Sequence, residues 1–427
     1  MFASDLVTLT TLTKQLPSYD SVSSPLPLYS PDPARGEQSI QLSPRARSVG
    51  RPTGSYVHQA GNVTVLLLDQ EEGATTPVYG RQSVLSGIVS ISSREVVSEV
   101  RIKLSGHMDL VLSGGASQST TLVKEAYTIW KCTSEVGNAT SVACPSELPF
   151  TCVFPSKFKD HIGREAPLPP SMHAMYPGAS GLVASCVYTL TIRIVKAGFW
   201  KQDKKLTIPL NYHPRTRAQT CPNPSPDLFS DVKVSPEEWH QTMSVIKSRK
   251  PTVTPPVQCH LFIPSVRVFA LSDNIHFHVQ LTGPLTSLRQ LVYSKPSKRS
   301  PDKFAPKIRV YLLRQITVEV CGQKGWKNLT LAEGTLRPKP PPITAVPNSP
   351  APSHHSKEDS LDWEGEVRCD ETETRGCPGF ITSDLTVKDF IVLSISPPDA
   401  TKSDLSPTQV PVPIKLVTES AETWRDD

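Results

Sequence analysis

Two copies of one short motif stand close together near the start of the chain, Leu16-Pro17-Ser18-Tyr19 and Leu26-Pro27-Leu28-Tyr29. A proline two residues before a tyrosine favours the extended polyproline conformation, which WW domains bind on a groove lined by aromatic side chains. The alternative is that a proline-rich segment contains such tetrapeptides by chance. We favour the functional interpretation, in which the WW-domain-binding residues are Leu16, Pro17, Tyr19, Leu26, Pro27 and Tyr29.

A group of basic residues surrounds the segment AGFWKQDKK and the loop after the following strand. Its members are Lys196, Lys201, Lys204, Lys205, Arg215 and Arg217. Clustered cations bind carboxylates and phosphates through charge-assisted hydrogen bonds, so an acidic or phosphorylated peptide is a candidate partner. The alternative, which the sequence alone favours, is that the cluster is only the solvated rim of a hairpin.

One further arginine falls within an apolar alternation. Arg314 is in phase with Ile308, Val310, Leu312, Ile316, Val318 and Val320. If that face is buried, Arg314 needs a carboxylate partner. We favour a β-bulge near Arg314 that shifts the alternation and carries the side chain to solvent, because Leu313 is also apolar and continues the other face.

The sequence contains no pattern for catalysis or for a cofactor. Cys369 and Cys377 are too far apart to act as a zinc ligand pair, and the histidines at 354–355 lie in a proline-rich stretch. No phosphate-binding glycine motif is present, and the segment from Gly178 to Gly181 lacks the spacing of a hydrolase nucleophile elbow. We therefore expect no metal, no cofactor and no enzymatic activity.

Strand periodicity dominates the chain. Apolar residues recur at every second position from Val84 to Leu112 and again from Ile275 to Leu281. Many short strands separated by turn residues, with little helical periodicity, predict an all-β fold of two tandem antiparallel β-sandwiches. One further in-phase set, expected to share a single face of its strand, is Ala184, Cys186, Tyr188, Leu190, Ile192 and Ile194.

Proline content shapes the predicted domain organisation. With 42 prolines in 427 residues, much of the proline is expected outside the strands. Within the linker, Ser235-Pro236-Glu237-Glu238 predicts a short helix through about Lys247. The predicted order is a disordered tail at 1–55, an N-terminal sandwich at 56–215, a linker at 216–256, a C-terminal sandwich at 257–398 with a disordered insertion at 337–362, and an irregular tail at 399–427.

Charge and cysteine usage favour a cytosolic protein. The net charge of +5 is too small and too evenly spread to indicate nucleic acid binding. We find no export signal and no apolar run long enough to cross a bilayer. Nine scattered cysteines, an odd number, are typical of reduced thiols.

The order of these pieces resembles the arrestin superfamily, and most closely the fungal α-arrestins, also called arrestin-related trafficking adaptors. The resemblance spans about residues 57–398. It rests on the strands at Gly87-Ile88-Val89, at Val100 to Gly106, at Tyr188 to Val195 and at Lys388 to Leu393, on the basic hairpin before Ile208-Pro209-Leu210, and on Leu148-Pro149-Phe150 followed by Pro169-Pro170-Ser171.

The resemblance implies an adaptor that binds membrane-protein cargo and performs no chemistry. In α-arrestins, Pro-x-Tyr motifs recruit the WW domains of HECT-type ubiquitin ligases, which ubiquitinate cargo for endocytosis. The basic cluster would then receive the cytosolic tails of membrane proteins, and the protein would be cytoplasmic and recruited to the plasma membrane or endosomes. This chain departs from the family pattern because leucine replaces the first proline of each motif and both motifs precede the sandwiches. The alternative is an arrestin-fold scaffold of a retromer-like sorting coat that recruits no ligase.

Overall fold

The structure is a computed structural model that describes residues 37–39, 53–92, 97–132, 143–178, 181–196, 203–219, 232–292, 307–339, 359–369, 377–398 and 403–421. Nearly all of its regular elements are β-strands, and most strand pairs are antiparallel. The all-β prediction of two sandwich-like domains is confirmed.

Fourteen strands belong to the N-terminal half of the chain. In order from β1 to β14 they are Glu37–Ser39, Gly54–Ala60, Val63–Gln70, Val78–Tyr79, Val84–Ile91, Val97–Leu112, Ser117–Lys131, Glu147–Val153, Lys157–Lys159, Glu165–Pro167, Met172–Tyr176, Leu182–Lys196, Lys204–Tyr212 and Thr216–Ala218.

Two sheets face each other in the N-terminal sandwich. One has the strand order β4-β13-β12-β6-β7, with β11 also paired to β12, and the other has the order β2-β3-β5-β8. The predicted alternation is observed, since every member of the set from Ala184 to Ile194 is buried. Small two-stranded pairs, β9 with β10 and β1 with β14, complete this half.

In the C-terminal half, the described residues include a further set of strands and a helix between two of them. Strands β15 to β25 are Trp239–Ile246, Val257–Pro264, Val268–Ala270, Asn274–Gly283, Lys307–Val320, Gln323–Glu333, Thr335–Lys339, Asp359–Arg368, Phe380–Ile381, Leu385–Ser396 and Thr408–Val417, and helix α1 is Leu285–Val292. The two sheets have the orders β15-β16-β18-β22-β21 and β17-β25-β24-β19-β20, with β23 on β24.

The predicted helix in the linker is wrong. Only Pro236–Glu238 forms a single 3-10 turn, and Ser235 makes no side-chain capping bond to it. The next residues form β15, which pairs along its whole length with β16, and Ile246 is fully buried in the C-terminal core. Sheet pairing and burial therefore outweigh the local helix-start signal.

The predicted irregular tail is also wrong over part of its length. Strand β25 pairs with β24, and its alternate residues Val410, Val412, Ile414 and Leu416 are buried. Pro411 and Pro413 obscure this strand in the sequence. One edge of β25 pairs with β24, and the other edge pairs with β17 only from Lys415 to Val417. The two prolines precede that second pairing, so their missing N–H groups remove no hydrogen bond to β17.

Other predicted boundaries shift by a few residues. Strands β21 and β22 bring both ends of the proline-rich insertion into a sheet, so residues 340–358 alone lie outside the described residues there. Most of the predicted N-terminal tail also lies outside them, but β1 pairs with β14. The C-terminal sandwich accordingly extends from β15 to β25.

Candidate functional site

The sequence-predicted motif residues lie outside the part of the chain that the structure describes. Leu16, Pro17 and Tyr19 of the first motif, and Leu26, Pro27 and Tyr29 of the second, all precede β1. Their interpretation as WW ligands therefore stays a prediction.

The basic residues do not form one surface. Lys204 and Lys205 begin β13, and Lys196 lies at the same end because Ile194 pairs with Lys204. Arg215 and Arg217 follow the other end of β13, which at about 3.3 Å per residue is roughly 30 Å away. Lys201 lies outside the described residues. The fold thus separates a group that is contiguous in sequence.

Several of these cations already have structural partners. The Lys204 ammonium donates to the Ala60 carbonyl and to Asn62 Oδ1, both at 2.6 Å, and so closes the turn between β2 and β3. Arg215 forms an ion pair with Glu419 near the end of the described chain. Lys205 is exposed and is the member best placed to meet a partner.

The predicted escape of Arg314 to solvent is wrong. Its side chain is 5% exposed and makes a bidentate pair with Asp389, Nε to Oδ1 at 2.7 Å and Nη2 to Oδ2 at 3.1 Å. Nη1 donates to the Cys377 carbonyl at 2.8 Å. A bulge does occur between Leu312 and Leu313, but only in the pairing with β20. The pairing with β24 runs without a shift, so Arg314 stays on the inner face.

This ion pair lies where the two hydrophobic cores meet. Arg314 and Asp389 face each other across β19 and β24. On one side along these strands, Leu312 and Ile391 belong to the C-terminal core. On the other side, the same two strands add residues to the N-terminal core, namely Ile316, Val318, Val320, Leu385 and Val387.

The charged state of Arg314 is secure despite its burial. Burial alone lowers the pKa of a guanidinium, but the facing Asp389 carboxylate and its hydrogen bonds raise the pKa of Arg314 above its ordinary value. The pair is therefore a fixed salt bridge that orients β19 against β24 between the sandwiches.

A second polar contact joins the sandwiches beside β24. The Asp384 carboxylate, only 7% exposed, accepts from Gln118 Nε2 at 2.8 Å and contacts His161 Nδ1 at 3.1 Å. Gln118 comes from β7 and His161 from the turn between β9 and β10. One C-terminal carboxylate thus holds two separate elements of the N-terminal sandwich.

A third contact joins the last residues of each half. Thr216 and Thr418 bond reciprocally, since the Thr216 amide donates to Thr418 Oγ1 at 2.8 Å and that hydroxyl donates to the Thr216 carbonyl at 2.7 Å. Arg215 and Glu419 form the adjacent ion pair. The sandwiches are therefore fixed to each other at several places along their contact.

An open groove of about 600 Å³ runs between the halves. Its walls are residues 112–114 and 181–182 of the N-terminal sandwich and residues 323–328 of the β19–β20 hairpin. A Cβ on Gly325 would lie 2.7 Å from Leu112 Cδ2, so glycine permits this close approach. Trp326 on the rim is 61% exposed.

Sequence reasoning missed a polar network on the C-terminal sandwich. Asp362 accepts from Gln280 Nε2 at 2.9 Å and from Ser360 Oγ at 3.0 Å, and it contacts His278 Nε2 at 3.1 Å. Burial opposes ionisation of Asp362, but these hydrogen bonds hold its pKa below the ordinary value. The alternation from Ile275 to Leu281 places His278 and Gln280 on the face opposite to the apolar residues, but it does not indicate that they meet Asp362.

Burial affects the chemistry of several cysteine side chains in the described residues. Burial raises the pKa of the Cys152, Cys259 and Cys377 thiols to about 11, which keeps them protonated and weakly nucleophilic near neutral pH. Within the described ranges, no three potential ligand side chains converge as a metal site would need. No helix in that part of the chain has the length and apolar character to cross a membrane.

Comparison of the chain with protein-family models and with curated proteins gave no match.

Proposed function

We propose that this chain is a non-enzymatic trafficking adaptor of the arrestin type that links a HECT-type ubiquitin ligase to membrane-protein cargo. The observation that carries the proposal is the joint between two β-sandwiches, in which β19 and β24 contribute to both cores around Arg314 and Asp389. A joint of this kind makes a large platform with several binding surfaces. The paired Leu-Pro-x-Tyr motifs precede that platform in the chain.

The ligase is bound through the motifs. Pro17 and Pro27 stack on the aromatic groove of a WW domain, while Tyr19 and Tyr29 anchor the peptide. A ligase with several WW domains engages both motifs at once, and the second contact then forms at the high effective concentration that the short tether sets. Paired motifs thus offset the weakness of each leucine-containing copy.

The test measures binding of the full chain to an array of WW domains from a HECT-type ligase. We expect Tyr19→Ala/Tyr29→Ala to lower the affinity more than tenfold and each single change to lower it less. The matched control is Ser18→Ala/Leu28→Ala, which alters the variable position of each motif and leaves binding intact. Binding that is indifferent to both tyrosines would remove the ligase from the proposal and favour the retromer-like scaffold.

In this proposal, part of the cargo-binding surface is the basic end of β12 and β13, which carries Lys196, Lys204 and the exposed Lys205. Lys205→Glu reverses an exposed charge there and should weaken association with an acidic or phosphorylated cytosolic tail. Lys204→Glu is a poor test because it also breaks the bonds to Ala60 and Asn62. Lys124→Glu on β7, equally exposed on another edge of the same sheet, is the control. Equal loss in both variants would show a general charge effect and no cargo site at Lys205.

A further inference from the structure

One outward face of the N-terminal sandwich is apolar. In the sheet β2-β3-β5-β8 the register places Val57 beside Leu66, Leu66 beside Ile88 and Ile88 beside Pro149. These four residues alternate with the buried ones and so form an unbroken row across the outer surface. We call this row, together with the nearby Leu68 and the pair Val84 and Val153, the apolar face.

Several members of the apolar face are largely exposed. The exposed fraction is 57% for Val57, 39% for Leu68, 44% for Val84 and 47% for Val153. The polar residues among them, such as Ser86 and Thr151, carry no charge. In contrast, the outward positions of β6 and β12 in the opposite sheet include charged residues, namely Arg101, Lys103 and Arg193. Contiguous apolar surface of this kind marks a contact site.

We propose that the apolar face binds the N-terminal segment of the same chain, residues 2–12, with the sequence FASDLVTLTTL. The chemistry matches, because the segment contains six apolar side chains (Phe2, Ala3, Leu6, Val7, Leu9 and Leu12) beside serine and threonine. Asp5 is its single charge. A segment with a single charge loses little hydration on a face whose central row has no charged residue, whereas a highly charged partner would leave its charges unpaired there.

The size of the apolar face selects a short segment. Four strands at about 4.8 Å and some five residues at about 3.3 Å give a surface of roughly 20 by 17 Å. That is roughly 300 Å², well below the roughly 800 Å² per partner that stable complexes bury. A second copy of the chain or another folded protein would therefore need additional surface elsewhere.

A tether compensates for weak intrinsic affinity. The chain between the segment and β1, residues 13–36, spans up to about 80 Å when extended and so reaches any part of the sandwich. A covalent tether of this length raises the effective concentration of the segment to about the millimolar range. Contacts too weak to hold a free peptide are then sufficient to keep the tethered segment bound.

The alternative of an anionic membrane is disfavoured by charge. Membrane surfaces attract lysine and arginine, and each adds affinity. The row Val57, Leu66, Ile88 and Pro149 contains neither, and the outward position that precedes Pro149 on β8 is the acidic Glu147.

The experiment is hydrogen–deuterium exchange on the full chain at low micromolar concentration. We expect amides of residues 2–12 to exchange at least tenfold more slowly than their intrinsic rates. The variant Val57→Thr/Leu66→Thr/Ile88→Thr changes outward positions only and places β-branched threonine, which suits a strand, at each of them, so the sandwich persists while the protection is lost. Leu6→Ser/Leu9→Ser in the segment should have the same effect, and Lys103→Thr on the opposite sheet should have none.

Three outcomes would overturn the proposal. The first is exchange of residues 2–12 at intrinsic rates in the unaltered chain, and the second is protection that persists in the triple threonine variant. The third is protection that grows with protein concentration together with a dimer mass in sedimentation, since the occupant is then a second copy. WW-domain binding is not part of this measurement, so its result and that of the ligase test are independent.

Discussion

Arg314 and Asp389 face each other across two neighbouring strands at the point where the cores of the two sandwiches meet. The guanidinium uses Nε and Nη2 on the carboxylate, and Nη1 on the Cys377 carbonyl. Both side chains are nearly inaccessible to solvent, so water cannot stabilise either charge. Among the described contacts, each charge is neutralised by the other. The pair therefore fixes how β19 and β24 pass from one core to the other.

Removal of one partner from this pair should be costly. We expect Arg314→Met to lower the free energy of unfolding by roughly 3–5 kcal/mol, because it leaves a buried carboxylate without its counter-charge. Denaturant unfolding followed by tryptophan fluorescence measures the effect.

The matched control for that prediction is the double variant Arg314→Met/Asp389→Leu. Replacing both charges with apolar groups of similar size removes the unpaired carboxylate, so the double variant should recover most of the lost stability. A double variant as unstable as Arg314→Met alone would mean that the packing around the pair, and not its charge balance, determines the cost.

Gly106 should tolerate no side chain. It lies opposite Tyr188 in the pairing of β6 with β12, and a Cβ there would lie 2.6 and 2.7 Å from two ring carbons. The ring cannot easily move, because Tyr188 is fully buried and its hydroxyl donates to the Pro169 carbonyl at 2.6 Å. Gly106→Ala should therefore destabilise the chain by about 1–3 kcal/mol in thermal unfolding. Ser105→Ala, on the outward side of the same strand, should be nearly neutral.

Burial should set the order in which the thiols react. Cys321 is exposed in the turn between β19 and β20, whereas Cys152, Cys259 and Cys377 are buried with raised pKa values. We expect a thiol reagent at neutral pH to modify Cys321 within minutes and those three only after denaturation. The Cys321→Ser variant should show one rapid equivalent fewer. Rapid modification of Cys377 in the native chain would contradict the buried environment around Arg314.

The sequence predicted the alternating faces well, because a two-residue period reports burial directly. Ile275, Phe277, Val279 and Leu281 are all buried, as their pattern indicated. Arg314 also lies on the buried face that the alternation indicated. The wrong prediction was that a β-bulge would carry its side chain to solvent. Its partner Asp389 is 75 residues away in the chain, and a local pattern contains no information about pairing at that distance.

The sequence analysis did not predict β15 and β25, for a different physical reason. Strand β15 follows a good helix-start signal, and β25 contains two prolines, so local preference pointed away from a strand in both cases. Tertiary pairing decided both, since Ile246 and Leu416 complete the C-terminal core.

The basic cluster also could not be predicted from local sequence. Residues close in sequence were separated by the length of β13, which no count of charges reveals.

A half-buried histidine at the junction of the sandwiches should make stability depend on pH. Burial lowers the pKa of His213 below its ordinary value of 6.5, and Arg215 adds to this while Glu419 opposes it. Below pH 6.5 the unfolded chain therefore takes up a proton that the folded chain resists, so stability falls as the pH decreases through that window. His240 and His260, whose pKa values burial also lowers, act in the same direction.

We expect His213→Gln to reduce, without abolishing, the loss of unfolding free energy between about pH 7.5 and about pH 5.5. His173→Gln on β11, where the side chain is exposed, should leave the pH dependence as it is. Equal pH dependence in His213→Gln and the unaltered chain would show that the junction contributes nothing to acid sensitivity and that the remaining groups account for all of it.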